Sequence, residues 1–209
     1  MTNPLMEYLT PVSQHPQAPT SGANKYYGAV ATGYDAKREN DPKWTVEQRI
    51  IEDMLSDLPR DTRLLDCPVG TGRFLKCYAD RGFIVLGMDR SPDMLQQALK
   101  KGEPLNLRGE LRQGNILQTG LPDDEVDVAV NCRITRWVIG EHGPAGIQQM
   151  LREMQRVAKK RIILTARVAN HPYAVSMDLI ESALGGWRVA RNEAGYVLDY
   201  RVLALEAVA

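Results

Sequence analysis

The chain predicts an α/β fold, with a doubly wound, mostly parallel, seven-stranded sheet that ends in a C-terminal antiparallel hairpin. Three observations carry this. From residue 63 onward, short apolar runs alternate with stretches of helical spacing, the order that parallel strands and crossover helices produce. The run Val126 to Cys132 is largely apolar, as expected of a central strand buried on both faces. The last two strand-like runs, Trp187 to Asn192 and Asp199 to Glu206, have only Glu193 to Leu198 between them. That gap is too short for a parallel crossover, so the two must pair antiparallel.

Taken in order, residues 1–24 are rich in Pro, Ser, Thr, Gln and Asn and read as a flexible tail. Residues 25–209 form one domain, of which 25–59 is an N-terminal helical segment. There Tyr26, Tyr27 and Tyr34 precede Trp44, Val46, Ile50, Ile51, Met54 and Leu55 at helix spacing, ending at Leu58-Pro59. Arg63 to Cys67 is the first strand and Arg73 to Arg81 a helix. Ile84 to Asp89 is the second strand, followed by a helix from Pro92 to Lys101 that Ser91 caps. Leu111 to Ile116 is a short third strand and Val126 to Cys132 the fourth. The glycines at 140, 143 and 146 imply a loop from Arg133 to Gly146, then a helix from Gly146 to Ala158. Arg161 to Val168 is the fifth strand, Ala174 to Leu184 a helix, and the hairpin completes the sheet.

Composition bounds the function. Lysine plus arginine and aspartate plus glutamate number 26 each, a balance that argues against a surface committed to nucleic acid. Cys67, Cys77 and Cys132 have no metal-ligand spacing, and an odd set on predicted core elements suits reduced thiols in a cytoplasmic setting. No apolar run approaches a membrane span, and the N-terminus lacks the pattern of a signal peptide. No metal site is expected.

The most telling segment is Leu64-Leu65-Asp66-Cys67-Pro68-Val69-Gly70-Thr71-Gly72-Arg73-Phe74, a strand, a glycine turn and the start of a helix. Such a turn brings backbone N–H groups and a carboxylate to the carboxyl end of a sheet. Asp89 ends the next strand, where an acid can accept both hydroxyls of a ribose. A dinucleotide fingerprint needs a third glycine, but Leu75 stands there; a Walker loop needs Gly-Lys-Ser/Thr, but Arg73-Phe74 follow Gly72. The turn is glycine-rich without being a phosphate cradle.

With Asp66, Gly70 and Gly72 in register, this segment resembles the Asp-x-x-x-Gly-x-Gly signature of the class I S-adenosylmethionine (SAM)-dependent methyltransferases. The antiparallel C-terminal hairpin and the Tyr34-Asp35 pair before the first long helix are similar to that family too, and the likeness runs from Tyr26 to the C-terminus. It implies SAM as the cofactor, Asp66 near its amino group, Asp89 at its ribose, and the 25–59 segment as a lid over its mouth. Asn115 in the turn after strand three would face the adenine amine and Ile116 the ring. The cofactor set expected is Asp66, Pro68, Gly70, Thr71, Gly72, Asp89, Arg90, Met94, Asn115, Ile116, Asn131 and Tyr34.

Strand four ends in Asn131-Cys132-Arg133-Ile134-Thr135-Arg136-Trp137, where cofactor and acceptor should meet. The Asn/Asp-Pro-Pro-aromatic motif of nucleobase and other amine methyltransferases is absent, and so is the Pro-Cys of C5-pyrimidine enzymes. Arg133 and Arg136 can pair with an anionic acceptor or simply with backbone and solvent. Trp137 and Tyr27 complete the expected acceptor side. His142 and His171, both placed after strands, are the candidate general bases. The resulting expectation is a methyltransferase acting on a small-molecule acceptor, as a monomer or homodimer. Its rivals are a methyltransferase of RNA or protein, a SAM-binding regulatory partner without catalysis, and an NAD-dependent oxidoreductase.

Overall fold

The computed structural model describes residues 26–196 and 199–208. The expected tail, residues 1–24, therefore lies outside the described residues. Seven strands form one sheet in the order β3-β2-β1-β4-β5-β7-β6. These are β1 (Arg63–Asp66), β2 (Ile84–Asp89), β3 (Arg108–Gln113), β4 (Val126–Asn131), β5 (Ala158–Arg167), β6 (Trp187–Ala194) and β7 (Tyr200–Ala207). Strands β1 to β5 pair parallel, whereas β7 pairs antiparallel with both β5 and β6. The doubly wound sheet with its antiparallel hairpin is as the alternation of elements requires.

Side chains alternate across the strands into two cores, one on each face. On one face, Leu64, Val85, Val128, Val130 and Ile163 meet α2 (Pro42–Met54), α3 (Leu75–Arg81) and α4 (Pro92–Gly102) through Ile51, Tyr78 and Leu95. On the other, Leu65, Ala129, Ile162 and Leu164 meet α5 (Thr135–Val157) and α6 (Met177–Ser182) through Ile147, Met150, Met154 and Ile180. A short α1 (Ala29–Thr32) precedes α2. Ser91 caps α4 as expected, its Oγ accepting from Met94 N at 3.2 Å, with Pro92 in the first turn. Asp41 plays the same part for α2, again followed by Pro.

The third strand ends at Gln113 rather than Ile116, the helix expected from Ala174 to Leu184 is confined to Met177–Ser182, and the largest departure from expectation follows β4. The stretch from 135 to 146 is helical apart from one residue, and α5 begins at Thr135, shortly after β4 ends at Asn131. The three glycines do not unwind it. Gly143 alone leaves helical geometry, at φ 62° and ψ −163°, and Pro144 at once restarts the helix. The expected loop is a kinked helix.

Candidate active site

Strands β1, β2 and β4 lie side by side, with Asp66 in register with Gly87 of β2 and Val130 of β4. Their carboxyl ends thus bring Asp66, Asp89 and Asn131 to one edge of the sheet, ahead of the glycine turn. The turn is tied down from both sides. Cys67 N donates to Val130 O at 3.0 Å, Val69 N to Met88 O at 2.7 Å, and Gly72 N to Val69 O at 3.0 Å. Gly70 and Gly72 both take positive φ, 57° and 78°, torsions that residues with a Cβ rarely adopt. Their surroundings differ. A Cβ on Gly72 would meet Ala98 Cα at 3.2 Å and Leu75 Cδ1 at 2.5 Å, so this glycine lets the turn pack on α4. A Cβ on Gly70 would meet nothing within 4 Å. Open space above a positive-φ turn is where a ligand can reach the backbone. Pro68 is half-buried in the same turn.

The two carboxylates differ in environment. Asp89 accepts from Gly70 N at 3.0 Å and from Ser91 N at 2.8 Å. Burial nevertheless lifts its pKa to about 6, the backbone donors acting in the opposite sense. Asp66 is 1% exposed. Its Oδ2 accepts from the Tyr78 hydroxyl at 3.1 Å, and its Oδ1 has no partner. Burial pushes Asp66 up to about 8. At the adjacent strand end, Asn131 is buried, with Nδ2 3.4 Å from Met150 Sδ and Oδ1 also unpartnered. A buried acceptor without a donor costs free energy, on the order of 1–3 kcal/mol. The two orphaned oxygens and the open space over Gly70 therefore fit a ligand that brings donors or positive charge.

The segment before α2 crosses this edge. Ser91 Oγ donates to Tyr26 O at 2.7 Å, Gly28 N to Asp93 Oδ2 at 2.7 Å, and Thr71 Oγ1 to Asp35 Oδ1 at 2.6 Å. Lys101 Nζ pairs with Asp35 Oδ2 at 2.7 Å. Four rings line the segment's path in edge-on succession. Trp137 and Tyr26 have centroids 5.7 Å apart, Tyr26 and Tyr34 5.9 Å, and Tyr34 and Trp44 6.0 Å. Burial raises the pKa of Tyr26, Tyr34 and Tyr200, so all three are neutral phenols at neutral pH.

Beneath the rings sits a buried carboxylate that sequence reasoning missed. Glu47, on α2 and 3% exposed, pairs with Arg73 Nη1 at 2.7 Å and with Arg133 Nε at 2.9 Å. The Cys132 thiol donates to Glu47 Oε1 at 3.1 Å. Burial and then the Glu47 charge hold that thiol far above its ordinary pKa, and burial does the same for Cys67, so neither is poised as a nucleophile. Arg73 stacks on Trp44, its Cζ 4.6 Å from the ring centroid. The only sequence signal for this cluster is an acid on the buried face of an amphipathic helix; its partners come from residues far along the chain.

The remaining expected site residues fall as follows. Met94 and Ile116 are buried and Arg90 is exposed. Asn115 Oδ1 accepts from Leu117 N at 3.1 Å, a local turn bond. Tyr27 is half-buried just before α1. Arg136 is exposed, its guanidinium 4.9 Å above the Trp137 ring. His142 is exposed on α5, 3.7 Å from Glu141, which also reaches Arg90 at 3.4 Å. His171 Nδ1 accepts from Tyr173 N at 3.0 Å. Among the described residues, no group of three or more His, Cys, Asp or Glu is placed to hold a metal, and no helix is long and apolar enough to cross a membrane.

Residues 65–165 match the family model described as "Methyltransferase domain". No curated protein matches the chain. Among solved structures, the magnesium protoporphyrin IX methyltransferase of Synechocystis PCC 6803 with bound SAH (S-adenosylhomocysteine) is 19% identical. It superposes with a TM-score of 0.67 over 87% of this chain and 96% of that one. A SAM-dependent methyltransferase of Aquifex aeolicus is 18% identical, with a TM-score of 0.64 over 85% of this chain and 98% of that one. A TehB-like SAM-dependent methyltransferase of Corynebacterium glutamicum is 19% identical, with a TM-score of 0.63 over 87% and 99% respectively. At these identities the likeness concerns the fold.

Proposed function

We propose that this chain, whose residues 65–165 match a methyltransferase domain model over the central strands and glycine turn, is a class I SAM-dependent methyltransferase that methylates a small-molecule acceptor by in-line displacement. SAM is the cofactor, and when bound it supplies a methyl group already activated by the sulfonium. The acceptor's lone pair forms the new bond to carbon as the carbon–sulfur bond breaks, its electrons remaining on sulfur. The acceptor's proton, where it has one, passes to a base or to water.

The work left to the protein is binding, alignment and exclusion of water, and alignment of this kind contributes roughly 7–11 kcal/mol at best. In this reading Asp89 takes the ribose hydroxyls, the Gly70 backbone lies against the methionyl part, and the orphaned Asp66 and Asn131 oxygens accept from its ammonium. The segment from Tyr26 to Trp44 closes over them. His142 serves as general base where the acceptor needs one, with His171 as the second candidate.

The observation that carries the small-molecule reading is the way the mouth is covered. The segment is fastened to the sheet edge through Asp35, Gly28 and Tyr26, and aromatic rings wall it off. A covered, ring-lined mouth suits a compact acceptor better than a duplex or a folded chain. The test is SAH formation from SAM with a cell extract as acceptor source. Turnover that survives nuclease and protease treatment of the extract, and passes a small-pore filter, is expected. Turnover that nuclease or protease abolishes would instead make the acceptor RNA or protein.

A further inference from the structure

The arginines at this mouth divide into two groups. Arg73 and Arg133 are spent on the buried Glu47 carboxylate. Arg38 and Arg136 have no carboxylate within ion-pair distance among the described residues. Instead each lies over a ring: Arg38 Cζ is 3.6 Å from the Tyr34 centroid, with Nη1 donating to Tyr34 O at 2.9 Å, and Arg136 Cζ is 4.9 Å from that of Trp137. Tyr34 and Trp137 both pack edge-on against Tyr26, whose carbonyl accepts from Ser91 Oγ while Ser91 N donates to Asp89, so the two guanidiniums flank one group of rings beside the proposed ribose site.

From this arrangement, and resting on the methyltransferase reading above, we propose that the acceptor is a planar aromatic molecule carrying an anionic group, with its ring against Tyr26, Tyr34 and Trp137 and its anion held by Arg136 and Arg38. Stacking on a ring fixes a guanidinium's plane while leaving its N–H edge free, and that edge matches a carboxylate or a phosphate bidentately. The neutral tyrosine hydroxyls add donors and no opposing charge. An aromatic box by itself also suits a cation. Here two unneutralised guanidiniums stand beside the box and repel one. The charge at the mouth therefore selects the sign of the acceptor, and the rings select its shape.

The test is calorimetric titration of the full-length chain saturated with SAH. The probes are 2-naphthoate, 2-naphthyl phosphate, the neutral 2-naphthamide and the cationic 2-naphthylmethylamine. At least one anion is expected to bind about tenfold or more tightly than the amide, the margin a charge-assisted hydrogen bond supplies. Which anion wins identifies the group as carboxylate or phosphate. Arg136→Gln should erase the preference without changing SAH affinity, and Arg38→Gln should reduce it. Equal binding of anions and amide, tighter binding of the amine, or no binding of any probe to the SAH complex overturns the inference. A preference that persists in Arg136→Gln overturns the assignment of that arginine. Failure of SAH itself to bind is a separate result, which removes the cofactor reading and the acceptor inference with it.

Discussion

At the scale of single residues, Asp66 and Asp89 end neighbouring strands, and burial drives both upward, but to different degrees. Asp89 has two backbone N–H donors and rises only to about 6; Asp66 has one phenol and an orphaned oxygen and rises to about 8. At pH 7 Asp89 is therefore ionised and able to accept from a diol, while most Asp66 side chains keep their proton. A cation placed against Asp66 lowers its pKa, so SAM binding at pH 7 is predicted to release up to about one proton. Calorimetry in phosphate and in Tris buffers measures this directly; identical apparent enthalpies, after correction for dilution, would contradict it. The sign for stability follows the same logic. Because the folded pKa of Asp66 lies above its unfolded value of about 3.9, its contribution is full below that pH and is lost as pH rises towards 8. Urea midpoints of the ligand-free protein should fall across that window, and less so with SAM bound. The acid at each strand end was legible from sequence. The difference between them was not, since it depends on which donors the fold brings to each.

At the scale of elements, α2 is fastened to the sheet by its buried acid rather than by apolar contacts alone. Removing one member of a buried, charge-paired cluster leaves its partners unneutralised, so Glu47→Ala is expected to cost about 3–5 kcal/mol in urea denaturation. A loss below about 1 kcal/mol would mean that water already reaches Arg73 and Arg133. The glycine turn gives a second comparison. Gly70→Ala places a Cβ in open space at positive φ, an expense of roughly 1–2 kcal/mol, and also intrudes where the cofactor is proposed to lie. Gly72→Ala adds a collision with α4 and should lower stability more than Gly70→Ala does. Cofactor affinity in the variants that fold should show the reverse order. Two glycines of one motif would then have separable tasks, packing for Gly72 and access for Gly70. Local pattern made the strands, the Ser91 cap and the hairpin legible, because alternation and loop length act over a few residues. It misread residues 135–146, where three glycines suggest a loop. A single positive-φ glycine followed by proline was enough to absorb the bend, and burial of Val138 and Ile147 holds helix on both sides of it.

At the scale of the molecule, equal numbers of acidic and basic residues leave no net field to gather a polyanion, so charge matters locally. The sheet order places β1 between β2 and β4, and this adjacency turns Asp66, Asp89 and Asn131 from separate strand ends into one site. The N-terminal segment crosses that edge, where its rings and its buried acid meet Trp137 and arginines from distant parts of the chain. Such long-range convergence is what sequence pattern cannot supply: the glycine turn between two strand-end acids was readable from a contiguous motif, whereas the Glu47 cluster and the sorting of the arginines were not. Binding of SAM at the Asp66 to Asp89 edge is checked by calorimetric titration of the purified protein with SAM, with NAD as the control ligand. Micromolar binding of SAM is expected, with no binding of NAD and a loss of about 100-fold or more in SAM affinity for Asp89→Ala with its circular dichroism unchanged, the scale set by removing an ionised acceptor of two hydroxyls. Binding of NAD in place of SAM, or SAM affinity unaltered in Asp89→Ala, would contradict it.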